Sequence, residues 1–377
     1  MNENPLLKLA TFGQSIWLDF IRRGMLVSGE MARLIEGDGL RGITSNPAIF
    51  EKAIAETGDY DDEILTLAAA GKSAEEIYEK LTVEDIRTTA DLFRPTYDRM
   101  DGKDGYVSLE VSPRLAHDTN GTLLEARTLW AKVARPNVMI KVPATREGLP
   151  AIRQLISEGV NVNVTLLFGL PRYREVAEAY LAGLEDAAAL KRPLKTVASV
   201  ASFFLSRIDV LIDPLLDKKP AEGGPGSELA GSLRGEVAIA SAKIAYQMWK
   251  EIFSCERFQR LAALGARPQR VLWASTSTKN PAYSDVKYVE ALIGPETVNT
   301  LPLETLDAYR DHGNPLSRLE NGLEKAYSCL KNLAEAGIDL DAATQQLEDE
   351  GVVKFVRPYD SLLNTLEQKR NEAPMRH

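Results

Sequence analysis

Cysteine and histidine are scarce in this 377-residue sequence, which contains two cysteines and three histidines. Cys255 and Cys329 stand far apart and lack the close spacing of a zinc site or a redox pair, so we expect both to be reduced thiols in the core. His117, His312 and His377 show no metal-ligand spacing and give no support to an acid–base triad. The sequence therefore predicts neither a metal nor another cofactor.

Basic residues are not in excess in this sequence. Lysine and arginine number 45 against 54 aspartates and glutamates, and the net charge of −9 argues against a nucleic-acid partner. No apolar run is long enough to span a membrane, and the first ten residues, MNENPLLKLA, lack the apolar centre and cleavage site of a signal peptide. These absences predict a cytoplasmic protein with no membrane partner.

Short β-branched runs alternate with longer helical patterns along the chain, as in parallel βα units. The length and the 44% hydrophobic content allow either two ordinary domains or one α/β barrel with additions. Eight strands are predicted, the number of a (β/α)8 or TIM barrel. They are Ser15 to Asp19, Leu40 to Thr44, Tyr106 to Val111, Val138 to Val142, Val160 to Val164, Thr196 to Val200, Val271 to Ala274, and Thr297 to Leu301. A single barrel domain over residues 1–377 is the simpler interpretation.

The segments between the strands support a barrel with helices outside. Apolar residues recur at helical spacing after the fourth and fifth strands, namely Leu149, Ile152, Ile156, Val176, Tyr180 and Leu184. Residues 53–93 have a helical composition, and residues 218–227, KKPAEGGPGS, predict a loop. Residues 316–377 predict a C-terminal helical extension packed on the barrel, with a break at Pro358. Because apolar helical faces can cover a second copy as well as the barrel, a homo-oligomer is left open.

Polar side chains interrupt several strands near their carboxyl ends. In the fifth strand Asn161, Asn163 and Thr165 share one face, because alternate side chains of a strand point the same way. Such a face cannot pack against covering helices and should point into the barrel or its mouth. Three other strands carry isolated polar residues near their ends, Asp19, Glu110 and Lys141. Since a barrel gathers these strand ends at the rim where enzymes of this fold have their sites, they predict an active site.

Lys141 stands in the apolar segment NVMIKVPAT, residues 137–145. Its ammonium group would lose hydration there, which favours the neutral amine, a usable nucleophile. Attack of an amine on a ketone gives a carbinolamine and then a Schiff base, whose protonated nitrogen withdraws electrons and permits retro-aldol cleavage without a metal. The carboxyl groups of Glu110 and Asp19 are the available proton carriers.

Each of these residues also has a plainer interpretation. A lysine at a strand end commonly extends into solvent and pairs with a surface carboxylate, and Glu110 and Asp19 could cap helices or form ion pairs. The coincidence of polar residues at four strand ends favours the catalytic interpretation of Lys141.

Seven short segments, taken in their order along the chain, form a distinctive sequence pattern. They are IWLDF (16–20), GITSNPAIF (42–50), SLEVSPRLAHDT (108–119), IKVPAT (140–145), NVNVTLLF (161–168), VASFFLSRID (200–209) and WASTSTKNPAY (273–283). Together they resemble the transaldolase family, and the resemblance extends across most of the chain. The chain length and the STSTKNPAY sequence are similar to the longer bacterial transaldolases rather than to the short aldolase-like subgroup.

The resemblance implies a role for each matching residue. Lys141 would form the Schiff base with a dihydroxyacetone unit, and Asp19 would exchange a proton with the substrate hydroxyl whose deprotonation breaks the carbon–carbon bond. Glu110 with Thr165 would hold the water that carries protons during imine formation. Three further side chains would hydrogen-bond the dihydroxyacetone portion, namely Asn46, Asn163 and Ser202.

A phosphate site is predicted from cations near two other strand ends. Arg207 follows the sixth strand, and Lys279 lies in a hydroxyl-rich loop after the seventh. A guanidinium group can bind two phosphate oxygens, lysine adds a point charge and Ser275 a donor, which suits a terminal sugar phosphate. In the alternative interpretation Arg207 pairs with Asp209 or Asp213 on a helix surface and Lys279 is a solvated loop charge.

The resemblance implies transfer of dihydroxyacetone between sedoheptulose 7-phosphate or fructose 6-phosphate and glyceraldehyde 3-phosphate or erythrose 4-phosphate, in the non-oxidative pentose phosphate pathway. A fructose 6-phosphate aldolase would instead release dihydroxyacetone to water. Aldolase-like relatives tend to have tyrosine in place of Phe204 and glutamine in place of Glu110, so both residues favour a transaldolase, with Phe204 at the substrate. Two alternatives do not use Schiff-base chemistry. One is a catalytically inactive barrel that binds sugar phosphates, and the other is a metal-assisted enzyme.

Overall fold

The computed structural model describes residues 4–222 and 225–372. Its centre is a closed barrel of eight parallel strands, in which each strand pairs with the next and the last pairs with the first. The strands are β1 (Gln14–Leu18), β2 (Gly42–Ile43), β3 (Tyr106–Glu110), β4 (Val138–Pro143), β5 (Val162–Leu167), β6 (Ser199–Phe204), β7 (Arg270–Ala274) and β8 (Thr297–Leu301). This architecture confirms the predicted (β/α)8 barrel.

Helices enclose the barrel and account for most of the remaining described chain. Up to the fifth strand they are α1 (Pro5–Leu9), α2 (Arg23–Val27), α3 (Glu30–Gly37), α4 (Pro47–Ala55), α5 (Asp61–Ala69), α6 (Ala74–Arg99), α7 (Thr119–Val133) and α8 (Gly148–Glu158). Thereafter they are α9 (Leu170–Ala189), α10 (Ser206–Leu216), α11 (Lys219–Glu222), α12 (Pro225–Leu233), α13 (Val237–Ser254), α14 (Glu256–Ala263), α15 (Lys287–Ala291), α16 (Leu303–His312), α17 (Leu323–Glu335) and α18 (Leu340–Glu372).

The predicted helices after the fourth and fifth strands are confirmed as α8 and α9. Ile152 and Ile156 of α8 are fully buried, and so are Val176, Tyr180 and Leu184 of α9. The two helices pack against each other and against the barrel. Helix α8 ends at Gly159, whose φ of 86° lies in the left-handed region that glycine adopts without steric cost.

The barrel corrects the bounds of seven predicted strands by one to four residues, and β5 and β6 differ most. β5 spans Val162–Leu167 rather than Val160 to Val164, and β6 spans Ser199–Phe204 rather than Thr196 to Val200. The prediction followed the β-branched residues, but strand formation here depends on pairing with neighbours. Every residue of β6 from Val200 to Phe204 pairs with a residue of β7, which brings alanine and serine into the strand despite their low preference for it.

β5 contains one residue more than its neighbour β6 over the same stretch. Val164 pairs with Ala201, and the next registered pair is Leu167 with Phe203, so the alternation of faces is interrupted between them. Leu166 absorbs the extra residue with a φ of 56°. As a result Thr165 faces the mouth of the barrel while Leu167 is fully buried.

Two predictions about irregular segments are wrong. The predicted loop at residues 218–227 contains α11 and the start of α12, with residues 223 and 224 outside the described residues. Its prolines are compatible with helix because Pro225 is the first residue of α12, where no backbone donor is needed. Pro358 does not break the C-terminal helix but lies inside α18. The packing of α18 on α4, α5 and α6 offsets the lost backbone hydrogen bond.

The C-terminal helices pack on the rest of the molecule. Helix α17 contacts α12 and α13, and α18 runs across α4, α5, α6 and α10 to the carboxyl end of β5. Residues 373–377 lie outside the described residues. Within the described ranges, no helix combines the length and the apolar character needed to cross a membrane.

The cysteines and histidines stand at separate places. Both cysteines are free thiols, and Cys329 is buried as predicted. The prediction of a core position is wrong for Cys255, which is exposed because it lies at the junction of α13 and α14. His117 and His312 pair with surface carboxylates, and His377 lies outside the described residues.

Candidate active site

Lys141 is a buried amine on the inner face of β4. Only 4% of the residue is exposed, and its Nζ lies 3.2 Å from Oε2 of Glu110 on the neighbouring strand β3. The Nζ also donates a hydrogen bond of 2.9 Å to the carbonyl oxygen of Ser45. The interpretation of Lys141 as a solvent-exposed surface lysine is therefore wrong.

Glu110 has unused hydrogen-bonding capacity beside this amine. Burial raises the pKa of Glu110 above its ordinary value, and the positive charge of Lys141 opposes that rise. Apart from the ion-pair contact with Lys141, neither carboxylate oxygen has a hydrogen-bond partner within the described part of the chain. The hydroxyl of Thr165, on β5, also has no hydrogen-bond partner there and is fully buried. These groups can hold and exchange a proton next to the amine.

Asn163 lies below the mouth and anchors the polar inner face of the barrel. Its Nδ2 donates to the Ser108 hydroxyl at 3.0 Å, and its Oδ1 accepts from the Ser202 hydroxyl at 2.6 Å. All three side chains are buried. With both ends of its amide engaged, Asn163 fixes the position of Ser202, which lines the cavity above it.

Asp19 directly follows β1 and is only partly exposed. Its Oδ1 accepts a hydrogen bond of 2.6 Å from the Thr44 hydroxyl, which in turn lies 2.7 Å from the Thr300 hydroxyl. Because a hydroxyl has one hydrogen and Thr44 gives it to Asp19, Thr300 is the donor of the second bond. Burial raises the pKa of Asp19, while the charge of Lys141 and the Thr44 hydrogen bond oppose the rise.

Asn46 is held by the start of α4. Its Oδ1 accepts from the backbone N–H of Ile49 at 3.0 Å and so caps the helix. Asn46 also lines the cavity. The segment after β2 therefore supplies both Thr44 and Asn46 to the same space.

A cavity of about 240 Å³ brings most of the predicted residues together at the carboxyl ends of the strands. The predicted residues that line it are Asp19, Asn46, Lys141, Thr165, Ser202, Phe204, Arg207, Ser275 and Lys279. Glu110 and Asn163 lie outside the lining, each in contact with a residue that belongs to it. Eleven positions from seven strands and their loops thus meet at one rim, as the strand-end argument predicted.

Arg207 stands in the first turn of α10 between two aromatic rings. Its guanidinium carbon lies 5.6 Å from the ring centre of Phe204 and 5.9 Å from that of Phe355. Burial lowers the pKa of Arg207, and Asp19 and Glu350 oppose this effect. Nη1 has no hydrogen-bond partner within residues 4–222 and 225–372. A desolvated cation with a free donor is well suited to an anionic group.

The alternative pairing of Arg207 with Asp209 or Asp213 does not occur. Asp209 accepts from the Ala238 backbone and the Tyr288 hydroxyl, at 2.9 and 2.8 Å. Asp213 accepts from the Gly235 backbone and the Tyr283 hydroxyl, at 2.8 and 2.7 Å. Both carboxylates tie α10 to the following helical segments and face away from the guanidinium.

Ser275 and Lys279 occupy the loop after β7. The Ser275 hydroxyl lies 2.9 Å from that of Ser206 at the start of α10, and its φ of 54° is in the left-handed region. A non-glycine residue held in this region beside a cavity is typical of functional sites. Lys279 is exposed and donates to the Ser277 hydroxyl at 2.6 Å. Its ammonium group thus contacts a hydroxyl that lines the cavity, although the side chain is exposed.

The structure adds cavity residues that the sequence reasoning missed. They are Thr44, Ala48, Ala274, Ser277, Thr300, Pro302, Glu304, Lys354 and Phe355. Thr44 lies two positions before Asn46 and could have been found by strand-end reasoning. Lys354 and Phe355 belong to α18 and carry no local pattern that separates them from other helical residues. Within the described ranges, no group of three or more histidine, cysteine or acidic side chains is placed to hold a metal.

Comparison with known proteins identifies similar sequences over almost the whole chain. A family described as transaldolase/fructose-6-phosphate aldolase matches residues 16–366. "Transaldolase 2" of Nostoc sp. is 50% identical over 371 residues, covering 97% of each chain. "Transaldolase" of Trichodesmium erythraeum is 50% identical over 374 residues, covering 98% of each chain. "Transaldolase" of Saccharopolyspora erythraea is 48% identical over 366 residues, covering 97% of each chain.

Proposed function

Because this chain belongs to the transaldolase family, we propose that its Lys141 carries the dihydroxyacetone unit as a Schiff base. The protein is a transferase of the pentose phosphate pathway that moves this unit between phosphorylated sugars. The observation that supports the role of Lys141 is its position. It is a buried amine beside a buried carboxylate, 3.2 Å away, at the floor of the cavity.

Glu110 starts the reaction by taking the extra proton of the Lys141 ammonium group. The raised pKa of Glu110 makes its carboxylate a suitable acceptor. The free amine then forms a bond to the ketose C2, the carbonyl electron pair moves to oxygen, and a proton passes from nitrogen to that oxygen. Glu110 returns its proton to the resulting hydroxyl, which leaves as water and yields the protonated Schiff base. Thr165, with its free hydroxyl, holds the water that carries these protons.

Asp19 acts in the cleavage and transfer steps. Its carboxylate takes the proton of the C4 hydroxyl, the C3–C4 electrons move towards the Schiff-base nitrogen, and an aldehyde leaves. The enamine carbon C3 then attacks the carbonyl carbon of the acceptor aldehyde, the carbonyl electron pair moves to oxygen, and Asp19 gives its proton to that oxygen to form the new hydroxyl. Hydrolysis of the Schiff base frees the ketose product and restores Lys141.

The other cavity residues bind the two ends of the sugar. The amide of Asn46 and the hydroxyl of Ser202 hydrogen-bond the dihydroxyacetone part, with Asn163 holding Ser202 in place. Arg207, Lys279 and Ser275 bind the phosphate at the opposite end. Phe204 forms the wall between the two parts, with its ring 5.2 Å from that of Phe168.

The relatives favour transfer over release of the unit to water. The matched family includes fructose 6-phosphate aldolases, but the similar curated proteins are named transaldolases. Phe204 and Glu110 retain the residue types that the sequence comparison associates with transfer. A cavity lined by Lys141 and Asp19, with Glu110 in contact with Lys141, also argues against an inactive sugar-binding barrel.

The test combines adduct trapping with a transfer assay. Borohydride reduction with fructose 6-phosphate should leave a three-carbon adduct on the Lys141 peptide, detected by mass spectrometry. Lys141→Met should abolish the adduct and lower transfer from fructose 6-phosphate to erythrose 4-phosphate by more than about 10⁴-fold, because a covalent step is removed. Lys250→Met, on the outer helix α13, is the control that should keep both.

Three results would contradict the proposal. An unmodified Lys141 peptide from an enzyme that turns over would exclude the Schiff base at this residue. Activity that persists in Lys141→Met but disappears with a chelator would indicate metal-assisted chemistry. Release of dihydroxyacetone without an acceptor at the full transfer rate would indicate an aldolase.

We also propose that the protein acts in the cytoplasm. Phosphorylated sugars are charged and cross an apolar bilayer at high cost, so an enzyme that uses them belongs in the compartment that makes them. Antibody detection in fractionated cells tests this location. Recovery in the secreted or the membrane fraction would contradict it.

A further inference from the structure

Helix α18 forms one side of the cavity with two consecutive residues, Lys354 and Phe355. The helix can come this close because Gly351, one turn earlier, lies against β5. A Cβ added at Gly351 would stand 3.1 Å from Cδ2 of Leu166 and 3.5 Å from Cε2 of Phe168. A residue without a side chain therefore sets the distance between α18 and the rim of the barrel.

Phe355 connects α18 to the cation of the cavity. Only 7% of Phe355 is exposed, and the Arg207 guanidinium lies over its ring. The neighbouring Lys354 side chain is about half exposed, at 51%, and its Nζ donates to Oε2 of Glu350 at 2.7 Å. Lys354 and Arg207 thus border the same space, one solvated and one desolvated.

Glu350 links these two cations electrostatically. The hydrogen bond from Lys354 is the main cause of the lowered pKa of Glu350, and Arg207 contributes to it. Glu350 in turn favours the charged form of Arg207. The carboxylate therefore stands where it attracts both cations, as a phosphate group in the cavity also would.

We propose that Lys354 is a further phosphate-binding residue and that Glu350 competes with the phosphate for it. The inference rests on the proposed function of the cavity as a sugar-phosphate site. In the free enzyme Glu350 compensates the charge of Lys354. When a sugar phosphate binds, its oxygens lie near Arg207, and the flexible ammonium group exchanges the single carboxylate for the more highly charged phosphate. α18 thereby supplies specificity for phosphorylated substrates from the C-terminal end of the chain.

Inhibition by inorganic phosphate, competitive with fructose 6-phosphate, measures the site directly. Lys354→Met should raise the inhibition constant of phosphate by about 3- to 30-fold, the effect of one partly exposed charge-assisted contact. Glu350→Gln should lower this constant, because the competing charge is gone. The control is Lys331→Met on α17, which removes another exposed i,i+4 lysine–glutamate pair and should leave the constant unchanged.

A double variant distinguishes binding from a structural role. If Glu350 acts by holding Lys354, Glu350→Gln should lower the inhibition constant of phosphate less in the Lys354→Met background than in the wild type. The decrease that remains would be the part that acts through Arg207. Equal inhibition constants for wild type and Lys354→Met would overturn the proposal. The proposal would also be overturned if Glu350→Gln lowered the inhibition constant by the same factor in the wild type and in Lys354→Met.

Failure of this inference can be told apart from failure of the proposed function. Arg207→Met should raise the inhibition constant whether or not Lys354 takes part, and the Lys141 adduct should still form in Lys354→Met. If Arg207→Met responds and Lys354→Met does not, only the role of Lys354 is wrong. If phosphate does not compete with the sugar in the wild type, the roles of Arg207 and Lys354 at the phosphate are both wrong, and the adduct on Lys141 still tests the proposed function separately.

Discussion

At the scale of single residues, two neighbours fix the position of the Lys141 amine. Its Nζ lies 3.2 Å from Glu110 Oε2 and donates to the Ser45 carbonyl oxygen, and the residue is only 4% exposed. The amine and the carboxyl group are therefore close enough to exchange a proton directly. Such an exchange suits imine chemistry, which requires a free amine for attack and an acid for the loss of water.

Thr44 controls the acid limb of activity through Asp19. Its hydroxyl stabilises the ionised carboxylate by a hydrogen bond of 2.6 Å, so removing it raises the pKa of Asp19 further. Since Asp19 must be ionised to accept the C4 hydroxyl proton, activity lost on acidification should be lost at a higher pH in Thr44→Val. The measurement is kcat/KM against pH.

The hydroxyl, and not the shape of the side chain, should be responsible for that effect. Thr44→Ser keeps the donor and should retain the wild-type acid limb, and Thr44→Val should recover its rate at high pH, where Asp19 is ionised in both proteins. An unchanged acid limb in Thr44→Val would mean that Asp19 is not the group that titrates there.

Strand alternation and chemical type predicted the residues that project from strand ends. Asp19, Glu110 and Lys141 could be placed in this way because a parallel barrel brings the same end of every strand to one rim. The Glu110–Lys141 contact is a consequence of register, since the two residues pair across β3 and β4. The orientation of Lys279 depends on a hydrogen bond within its own loop, and the stacking of Arg207 depends partly on α18; strand periodicity describes neither.

At the scale of elements, α18 was predicted only as part of a helical extension. Its amphipathic pattern indicated packing but not the surface on which it packs, and Pro358 suggested a break that tertiary contacts override. The approach of Gly351 to Leu166 is a matter of three-dimensional fit between segments far apart in the chain. Such fits leave no periodic signal, which is why Lys354 and Phe355 were missed.

Gly351→Val tests whether the position of α18 matters to the site. The branched side chain would overlap Leu166 and Phe168, so α18 should move outward and carry Lys354 and Phe355 with it. We expect a higher KM for fructose 6-phosphate and a loss of about 1–3 kcal/mol in the free energy of unfolding. Kinetics and denaturant titration measure the two effects.

Gly231→Val in α12 is the matched control for that substitution. It is also a glycine within a helix, but a Cβ there meets no atom within 4 Å. It should leave KM unchanged. A normal KM in Gly351→Val would show that the site tolerates displacement of α18 and would remove the structural basis for its contribution.

At the scale of the whole molecule, the polar groups at the two ends of the barrel have different roles. The amino-terminal end contains a buried ion pair in which Asp104, fully buried, lies 3.1 Å from Arg270. Asp104 also accepts from Ser15 and Trp17, at 2.7 and 3.3 Å. At the carboxyl end, the Glu110 carboxylate, apart from its ion pair with Lys141, and the Thr165 hydroxyl have no hydrogen-bond partner within the described residues. An ion pair remote from the cavity supports stability, whereas unpaired groups beside the cavity are available for substrate.

Asp104→Ala should therefore lower stability without changing the chemistry. It leaves Arg270 buried and uncompensated, and we expect a loss of about 3–5 kcal/mol in the free energy of unfolding, with kcat/KM of the folded enzyme retained. Lys103→Met breaks an exposed pair with Glu296 at the same end and should cost less than about 1 kcal/mol. A large loss of kcat/KM in folded Asp104→Ala would contradict the separation of the two ends.

The same variant tests the proposal that residues 1–377 form one domain with residues 316–377 as its extension. Since α17 and α18 pack on helices of the barrel, they should open together with it. Amide hydrogen exchange in α18 should accelerate in Asp104→Ala along with exchange in the barrel strands. Unchanged protection of α17 and α18 would identify them as an independent unit.

The extra residue in β5 bears on the transplantation of this site into another scaffold. Grafting methods copy side chains onto matching backbone positions, yet Thr165 and Leu167 take their directions from the interruption at Leu166. On a regular strand Thr165 and Leu167 would point the same way, and a leucine would fill the space intended for sugar. A graft must therefore include this backbone irregularity as well as the residues, so barrels that lack it make poor recipients.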